Sequence, residues 1–400
     1  MSRTAAPVLI AGGGIAGLAA ALALAQRGQT SCVYERASHF SELGAGVQLG
    51  PNALWVLQQW GLLPAIEAQA CRPEALHVRA ATSGKSLSRI ALGQALHKRY
   101  GLPYLTIHRA HLHQILLQAA QNQPQITLHS SASVQGYKTH GDDGVELIFA
   151  RGLPAAGSAL LACDGVWSRL AAQINPQLRP ATYSGHMAYR ALLPMAQATL
   201  LLPAIEQEVG IWLGRRAHVV HYPVDAGKLL NMVVLLEAPQ PSTDQGWGQA
   251  IPQGEVQTEL ERALRQRHAS PLQSLLWAAD NWFAWPLYGR AAQGVWAQGR
   301  AAILGDAAHP MLPYLAQGAA MALEDAWVLA QHWQAERAVA ALQHYAALRL
   351  PRCTRVVQTA ARNAQIFHAS GLMALGRDAY LRLQNGRPVG MGWLYGWRGN

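Results

Sequence analysis

Short, almost unbroken apolar runs recur along the chain, and three of them end directly on glycine or aspartate. Pro7-Val8-Leu9-Ile10-Ala11 leads into Gly12-Gly13-Gly14, Leu160-Leu161-Ala162-Cys163 into Asp164-Gly165, and Ala301-Ala302-Ile303-Leu304 into Gly305-Asp306. Runs of this length without polar alternation predict strands buried on both faces, as in a parallel sheet. The first run is followed by an Ala- and Leu-rich stretch, Leu18 to Arg27, that predicts a helix closed by Gly28. A second strand, Ser31 to Tyr34, then ends at Glu35. Behind Arg109, the residues Leu112, Ile115, Leu116 and Ala119 recur at helical spacing, and Ala319 to Trp333 predicts a helix opened by Gln317-Gly318. A second group, Leu76 to Arg79, Ser184 to Leu193, Glu208 to Leu213, His218 to Tyr222 and Leu229 to Leu236, reads as strands away from those glycine and aspartate tips. Helical segments follow towards the C-terminus, with a kink expected near Pro351.

The strand, glycine and helix order gives each glycine a task. Gly12 permits a tight turn, Gly14 lets the backbone approach a diphosphate, and Gly17 allows helix and strand to pack closely. The helix start offers free N–H groups and a positive dipole end to phosphates. Glu35 stands where an acid can accept hydrogen bonds from a ribose. The alternative is a glycine-rich turn with no ligand. The turn alone leaves FAD and NAD both open. Asp164 and Asp306, each at a strand tip, favour FAD, because a carboxylate at such a tip can bind ribityl hydroxyls, which NAD lacks. Arg109 can reach a diphosphate or ribityl chain, or stand as an ordinary surface arginine. Pro310 and Pro313 stiffen the loop before Gly318, where a helix N-terminus beneath a flavin ring would stabilise its reduced anion; with no ligand, the loop is only a rigid strand-to-helix link.

Composition narrows the class. Half of the 400 residues are apolar and 14% are charged, enough for a large core in two intertwined domains and against disorder. The net charge of +10 arises partly from few acids, 22 in all, and the arginines are scattered singly or in pairs such as Arg215-Arg216. No nucleic-acid-binding stripe results, although a positive field can still draw in an anionic substrate or a phosphate-bearing nicotinamide. Cys32, Cys71, Cys163 and Cys353 form neither a CxxC pair nor a metal cluster, which points to reduced thiols in a cytoplasmic enzyme with no metal site. Arg3 followed by Ala5 to Ala25 resembles a signal peptide only superficially, since three glycines interrupt it. No apolar stretch is long enough to span a bilayer, so no membrane partner is expected. No serine nucleophile elbow with a matching triad is present.

Over essentially its whole length the chain resembles the single-component (group A) FAD-dependent aromatic hydroxylases. The likeness is strongest to the branch of salicylate hydroxylase, 3-hydroxybenzoate 6-hydroxylase and 6-hydroxynicotinate 3-monooxygenase. It is carried by Gly44 to Ala53, Asp164-Gly165, Gly305-Asp306, Ala316-Gln317-Gly318-Ala319 through Leu323-Glu324-Asp325-Ala326, His218 to Pro223, and Trp393-Leu394-Tyr395-Gly396. Departures are Ala316 and Ala320, where relatives often carry glycine, and Arg398 after Trp397, where an aspartate is usual. The resemblance implies an α/β, PHBH-like fold. In it, a Rossmann-type FAD domain (1–75, 101–180 and 286–345) is interleaved with a mainly β substrate domain (76–100 and 181–285) and followed by a C-terminal helical segment (346–400). It further implies tightly but non-covalently bound FAD at Gly12, Gly14, Ile15, Ala16, Glu35, Arg36, Gln48, Arg109, Val134, Asp164, Asp306 and Gly318, in a monomer or homodimer. NADH or NADPH would be a transient co-substrate, for which no second glycine-rich motif exists.

The implied activity is monooxygenation. NAD(P)H reduces the flavin, O2 adds at its C4a position, and the hydroperoxide hydroxylates a small aromatic acid, with or without decarboxylation. The protein would exclude water, hold the ring and favour the deprotonated phenol. His218 and Tyr222 are the candidate catalytic pair, because a strand would put both on one face with His221 on the other. A histidine can accept a phenol proton near neutral pH. Alternatively, His218 only hydrogen-bonds structure and Tyr222 is a packed aromatic. His309, three residues past Asp306, either orients the loop or reaches the substrate. Gln48 stands where the hydroxynicotinate enzymes carry histidine, which weighs against that substrate, and Arg190 is a candidate for carboxylate or flavin contact. Three competing readings remain open. They are a monooxygenase of another planar heterocycle (pyridine, purine or quinolone), a flavin-dependent halogenase, and a catalytically idle FAD-binding protein. Trp282 to Pro286 is only a partial echo of the halogenase WxWxIP motif, and the intact Asp306 loop argues against the idle reading.

Overall fold

The apolar runs become neighbouring strands. In the computed structural model, Val8–Ala11, Ser31–Tyr34, Ala159–Ala162 and Ala301–Ile303 belong to a six-stranded sheet. Its order is Ala297–Gln298, Ala301–Ile303, Ala159–Ala162, Val8–Ala11, Ser31–Tyr34 and Ile126–His129, parallel throughout except at the first pair. Val8, Leu9, Ile10, Leu160 and Leu161 are fully buried, which accounts for their lack of polar alternation. Each such side chain contributes about 1.5–3 kcal/mol of hydrophobic stabilisation. Helices Ile15–Ala25, Arg109–Gln121 and Gly318–Gln331 pack around the sheet, and the alanines of the first lie close to their neighbours. The structure describes residues 6–41, 46–141, 144–241, 249–251, 254, 256, 258–259, 271–386 and 390–399. Arg3, Ala5, Gly44 and Ala45, named above, lie outside the described residues.

The second group of strands forms an eight-stranded sheet in the order Gln249–Ile251, Trp282–Gly289, Thr182–Pro194, Leu229–Glu237, Ala217–Val224, Glu208–Leu213, Ala75–Ala80 and Ser86–Ala91. Only the Glu208–Leu213 and Ala75–Ala80 pair is parallel. Trp282–Gly289 belongs wholly to this sheet, so a domain boundary at 285/286 falls inside a strand; the sheet itself divides the chain after Gly289. One face is covered by helices Met195–Leu201 and Pro271–Trp277, with Met195, Ala198, Leu272, Leu275 and Leu276 buried against it. The other face looks towards the cofactor half.

The C-terminal part begins with a thirty-residue helix, Ala338–Phe367, that continues through Pro351. Burial of Arg349 and Cys353 on either side of the proline offsets the backbone hydrogen bond it cannot make. Helices Gly371–Leu383 and Gly392–Tyr395 follow. Among the described residues no helix is long and apolar enough to cross a membrane.

Candidate active site

Three strand ends meet at one edge of the six-stranded sheet. The registers Ala11↔Ala162 and Ala162↔Ile303 set the Gly12 turn, Asp164 and Asp306 side by side at the C-terminal ends of adjacent parallel strands. That edge is where open α/β sheets bind ligands. Gly12 has φ +108°, and a Cβ there would stand 2.3 Å from the Cys163 carbonyl oxygen; one on Gly17 would stand 1.9 Å from the Gly12 oxygen. Glu35 accepts hydrogen bonds from the Gly13 and Ala37 N–H groups at 2.8 and 2.9 Å, which fixes its carboxylate beside the turn. His113, on the Arg109 helix, reaches the Gly13 carbonyl at 2.8 Å. Neither helix Ile15–Ala25 nor helix Gly318–Gln331 has a side-chain cap at its start, so both present N–H groups at this edge. Gly305 (φ +59°) packs against the Cβ of Ala16, which brings the exposed Asp306 close to the first helix.

A second set of groups lines the face of the eight-stranded sheet that looks towards this edge. Cross-strand registers align His218 with Leu235 and Ala188, Val220 with Val233 and Arg190, and Tyr222 with Asn231 and Leu192. His218, Arg190, Tyr222 and Asn231 therefore share one face. Four residues of strand separate the backbones of His218 and Tyr222 by about 13 Å. At the Tyr222 end, Gly46 lets its strand approach the Tyr222 ring, and Tyr104 donates to Gln48 Oε1 at 2.7 Å. Burial pushes the Tyr222 hydroxyl up to about 12, with Arg190 and a hydrogen bond to Gln48 acting the other way. Arg190 lies over the Trp285 ring at 5.0 Å, and its Nε is buried without a hydrogen-bond partner among the described residues. Both side-chain polar atoms of the fully buried Asn231 are also unpartnered among the described residues. At the other end, the His218 ring lies 5.1 Å from Tyr314, which the loop after Asp306 supplies. Burial, then His368 and His186, holds His218 well below the usual histidine range, so it is neutral at pH 7. The arrangement can bind an acid at Arg190 and meet a polar ring substituent at His218.

Residues 5–360 match the family model for an FAD-binding domain. The chain is 34% identical over 402 residues to 3-hydroxybenzoate 6-hydroxylase of Polaromonas naphthalenivorans, covering 98% of this chain and 96% of the relative. It is 36% identical over 365 residues to a 3-amino-4-hydroxybenzoate 2-monooxygenase of Streptomyces platensis, covering 90% and 88%. The chain is an FAD-dependent monooxygenase of the aromatic hydroxylase family. The fold of salicylate hydroxylase in its substrate complex superposes with a TM-score of 0.82 at 24% identity, over 99% of this chain and 96% of that one. The α/β, PHBH-like architecture is thus that of the monooxygenase family.

The sheet edge fits FAD. The glycine cradle has no room for a Cβ, Asp164 Oδ1 is buried with no hydrogen-bond partner among the described residues, and Asp306 is exposed between buried neighbours. Gly12, Asp164 and Asp306 stand at adjacent strand tips, and Gly14, Ile15 and Ala16 lie at the start of the first helix. Glu35 is bonded to the Gly13 N–H, Gly318 begins helix Gly318–Gln331, and Arg109 begins the helix that follows strand Leu105–His108. Val134 begins the antiparallel strand Val134–Thr139, half-buried, and Arg36 is exposed just past Glu35. His221 occupies the opposite face of its strand, packed on Gly210, where burial pushes it down to about 4.

His309 is fully buried, with Nε2 2.6 Å from Asp325. Asp325 also accepts from Gly305 N–H (3.1 Å) and from Arg349 Nε (2.7 Å). Glu324 beside it is held by Arg349, Arg352 and Asn52. This buried ionic cluster sits behind the Asp306 tip. Reasoning from sequence missed His113, Tyr104, Asn231, Tyr314 and His368. Only Asn231 carried a readable signal, as a lone amide in the apolar run Leu229 to Leu236.

Proposed function

We propose that this monooxygenase hydroxylates a small aromatic acid bearing a phenolic hydroxyl, using O2 and NADH or NADPH in the cytoplasm. FAD would be held at the glycine turn by Gly12, Gly14, Ile15 and Ala16, at Glu35 and Arg36, and by Gln48, Arg109, Val134, Asp164, Asp306 and Gly318. Bound flavin supplies the reducing equivalents and the activation of oxygen. One observation carries the reading of the substrate: Arg190, a cation with a buried Nε, shares the pocket face with Tyr222 and the neutral imidazole of His218, its register midway between them. Arg190 and Tyr222 would take the carboxylate, while His218 accepts the phenolic proton. Buried apolar and aromatic neighbours, Ala188, Leu235, Leu287 and Tyr314, keep water from the ring. His309 would act at a distance, by setting the Asp306 loop through Asp325. The names of the relatives, 3-hydroxybenzoate 6-hydroxylase among them, agree with an acid of this kind.

The test measures NADH and NADPH oxidation by the yellow protein against 3-hydroxybenzoate, 3-amino-4-hydroxybenzoate, salicylate, 6-hydroxynicotinate and urate, with mass analysis of products. The expected result is strong acceleration by a phenolic acid and a product heavier by one oxygen, or one in which hydroxyl replaces carboxylate. Acceleration by urate alone would refute the phenolic-acid reading and favour a heterocycle.

A further inference from the structure

His218 is the inner member of a chain of titratable groups that leads out of the pocket. Its Nδ1 lies 2.9 Å from Nε2 of His368, the residue that ends the long helix Ala338–Phe367. Nδ1 of His368 faces Oε1 of Glu237 at 3.6 Å, at the end of strand Leu229–Glu237. Both imidazoles are buried, whereas the Glu237 side chain is 27% exposed. We infer that His218, His368 and Glu237 form a relay that carries the phenolic proton of the substrate to solvent. The inference rests on the reading of His218 as the base.

The surroundings of His218 create the need for such a path. A ring held neutral by burial is free to accept a proton but poor at keeping one. If Nδ1 gives up its proton as Nε2 receives another, His218 serves as base without storing charge in the interior. In atoms, the phenol O–H breaks and His218 Nε2–H forms. His218 Nδ1–H then breaks as His368 Nε2–H forms, and the proton on His368 Nδ1 passes to the Glu237 carboxylate and on to water. The electron pair of the O–H bond stays on the phenolate oxygen, and nothing is oxidised or reduced. Reprotonation of the product along the same path restores the starting tautomers.

The groups packed around the middle member favour onward transfer. Burial, then His186 and Arg377, pushes His368 down to about 3. His186 comes from strand Thr182–Pro194, directly opposite Glu237, and its ring meets that of His368 at 4.9 Å. Arg377, on helix Gly371–Leu383, donates to the Ile366 and Phe367 carbonyls. Tyr314 and Phe367 close the remaining sides, and Arg216 Nε donates to Oε2 of Glu237, leaving Oε1 turned to His368. Among the described residues His368 Nδ1 has no hydrogen-bond partner, an arrangement costly for a purely structural side chain. The 3.6 Å gap exceeds a hydrogen bond, so the last transfer requires His368 and Glu237 to close by several tenths of an ångström.

The experiment mixes FAD-loaded enzyme, without NAD(P)H, with 3-hydroxybenzoate, 3-amino-4-hydroxybenzoate or salicylate in weak buffer. Stopped flow follows phenolate absorbance and proton release to an indicator dye. Wild type should release a proton on binding at pH 7. Glu237→Gln and His368→Phe should slow that release about tenfold or more, with flavin content retained and ring affinity within about threefold. The deficit should vanish at a pH where the free ring is already phenolate, and imidazole should restore His368→Gly. Should His368→Phe fail to fold, Glu237→Gln, at the partly exposed end, decides alone. Release at the wild-type rate in the variants, a deficit that persists at high pH, or binding of a ring by wild type with no proton release would each overturn the relay. Failure of the underlying functional reading looks different, because wild type itself would then show no ring-stimulated NAD(P)H oxidation.

Discussion

Asp325→Ala tests whether the buried ionic cluster holds the Asp306 tip in place. The carboxylate is fully buried and accepts hydrogen bonds from Gly305 N–H at 3.1 Å, His309 Nε2 at 2.6 Å, Arg349 Nε at 2.7 Å and Cys353 Sγ at 3.8 Å. Its loss strands the buried His309, while Arg349 keeps Glu324 at 2.8 Å. Removing one partner of a buried ion pair costs about 3–5 kcal/mol. The surviving Glu324 contact puts the expected loss near the lower end, about 3 kcal/mol. Urea unfolding of the flavin-free protein isolates this cost from cofactor binding, and flavin titration then reports the Asp306 tip, whose affinity should fall about tenfold. Stability also depends on pH with a definite sign. Asp325 is buried, yet His309 and Arg349 hold it below the usual carboxylate range, so its contribution is present above about pH 4 and lost as pH falls. His309, despite burial, is held well above the usual histidine range by Cys353 and Asp325. Its contribution is complete below about pH 6.5 and declines as pH rises towards the folded value. Asp325→Ala should shrink that alkaline decline. A loss below about 1 kcal/mol, with the alkaline limb unchanged, would refute the reasoning.

Two further perturbations probe other parts of the fold. Gly17→Ala places a Cβ 1.9 Å from the Gly12 carbonyl oxygen, a backbone atom that cannot yield locally. The purified variant should carry less than about a tenth of the wild-type flavin by its visible absorbance, and full flavin content would defeat the cradle argument. Glu208 lies in the substrate sheet, where burial is outweighed by hydrogen bonds from His77 and Arg79 that bring it down to about 2. It therefore adds about 3 kcal/mol above pH 5, lost progressively as pH falls towards 2. Glu208→Gln should flatten that acid limb in a pH series of urea midpoints, and an unchanged limb would show that the pair contributes little.

The parts of the molecule legible in the sequence are those written locally. Apolar runs such as Val8–Ala11 signal strands because burial on both faces removes the polar alternation, and the glycine after the run signals a turn because nothing larger fits there. Period two placed His218 and Tyr222 on one face before any sheet order was known. What sequence cannot supply is which distant segments come to rest against that face. His368 meets His218 across 150 residues, and His113 reaches Gly13 across 100, with no pattern near either residue that announces the partner. Pro351 stands inside helix Ala338–Phe367, which continues past it with Arg349 and Cys353 buried on either side, a packing that only the folded chain provides. The consequence for the site is specific. The binding of FAD depends mostly on strand tips and helix starts, which are local. The handling of the substrate proton depends on contacts among three strands, one loop and the end of a C-terminal helix, which are not. A relative could therefore keep every cofactor motif of this chain and still lack His368 or Glu237, and the proton-release experiment would separate the two.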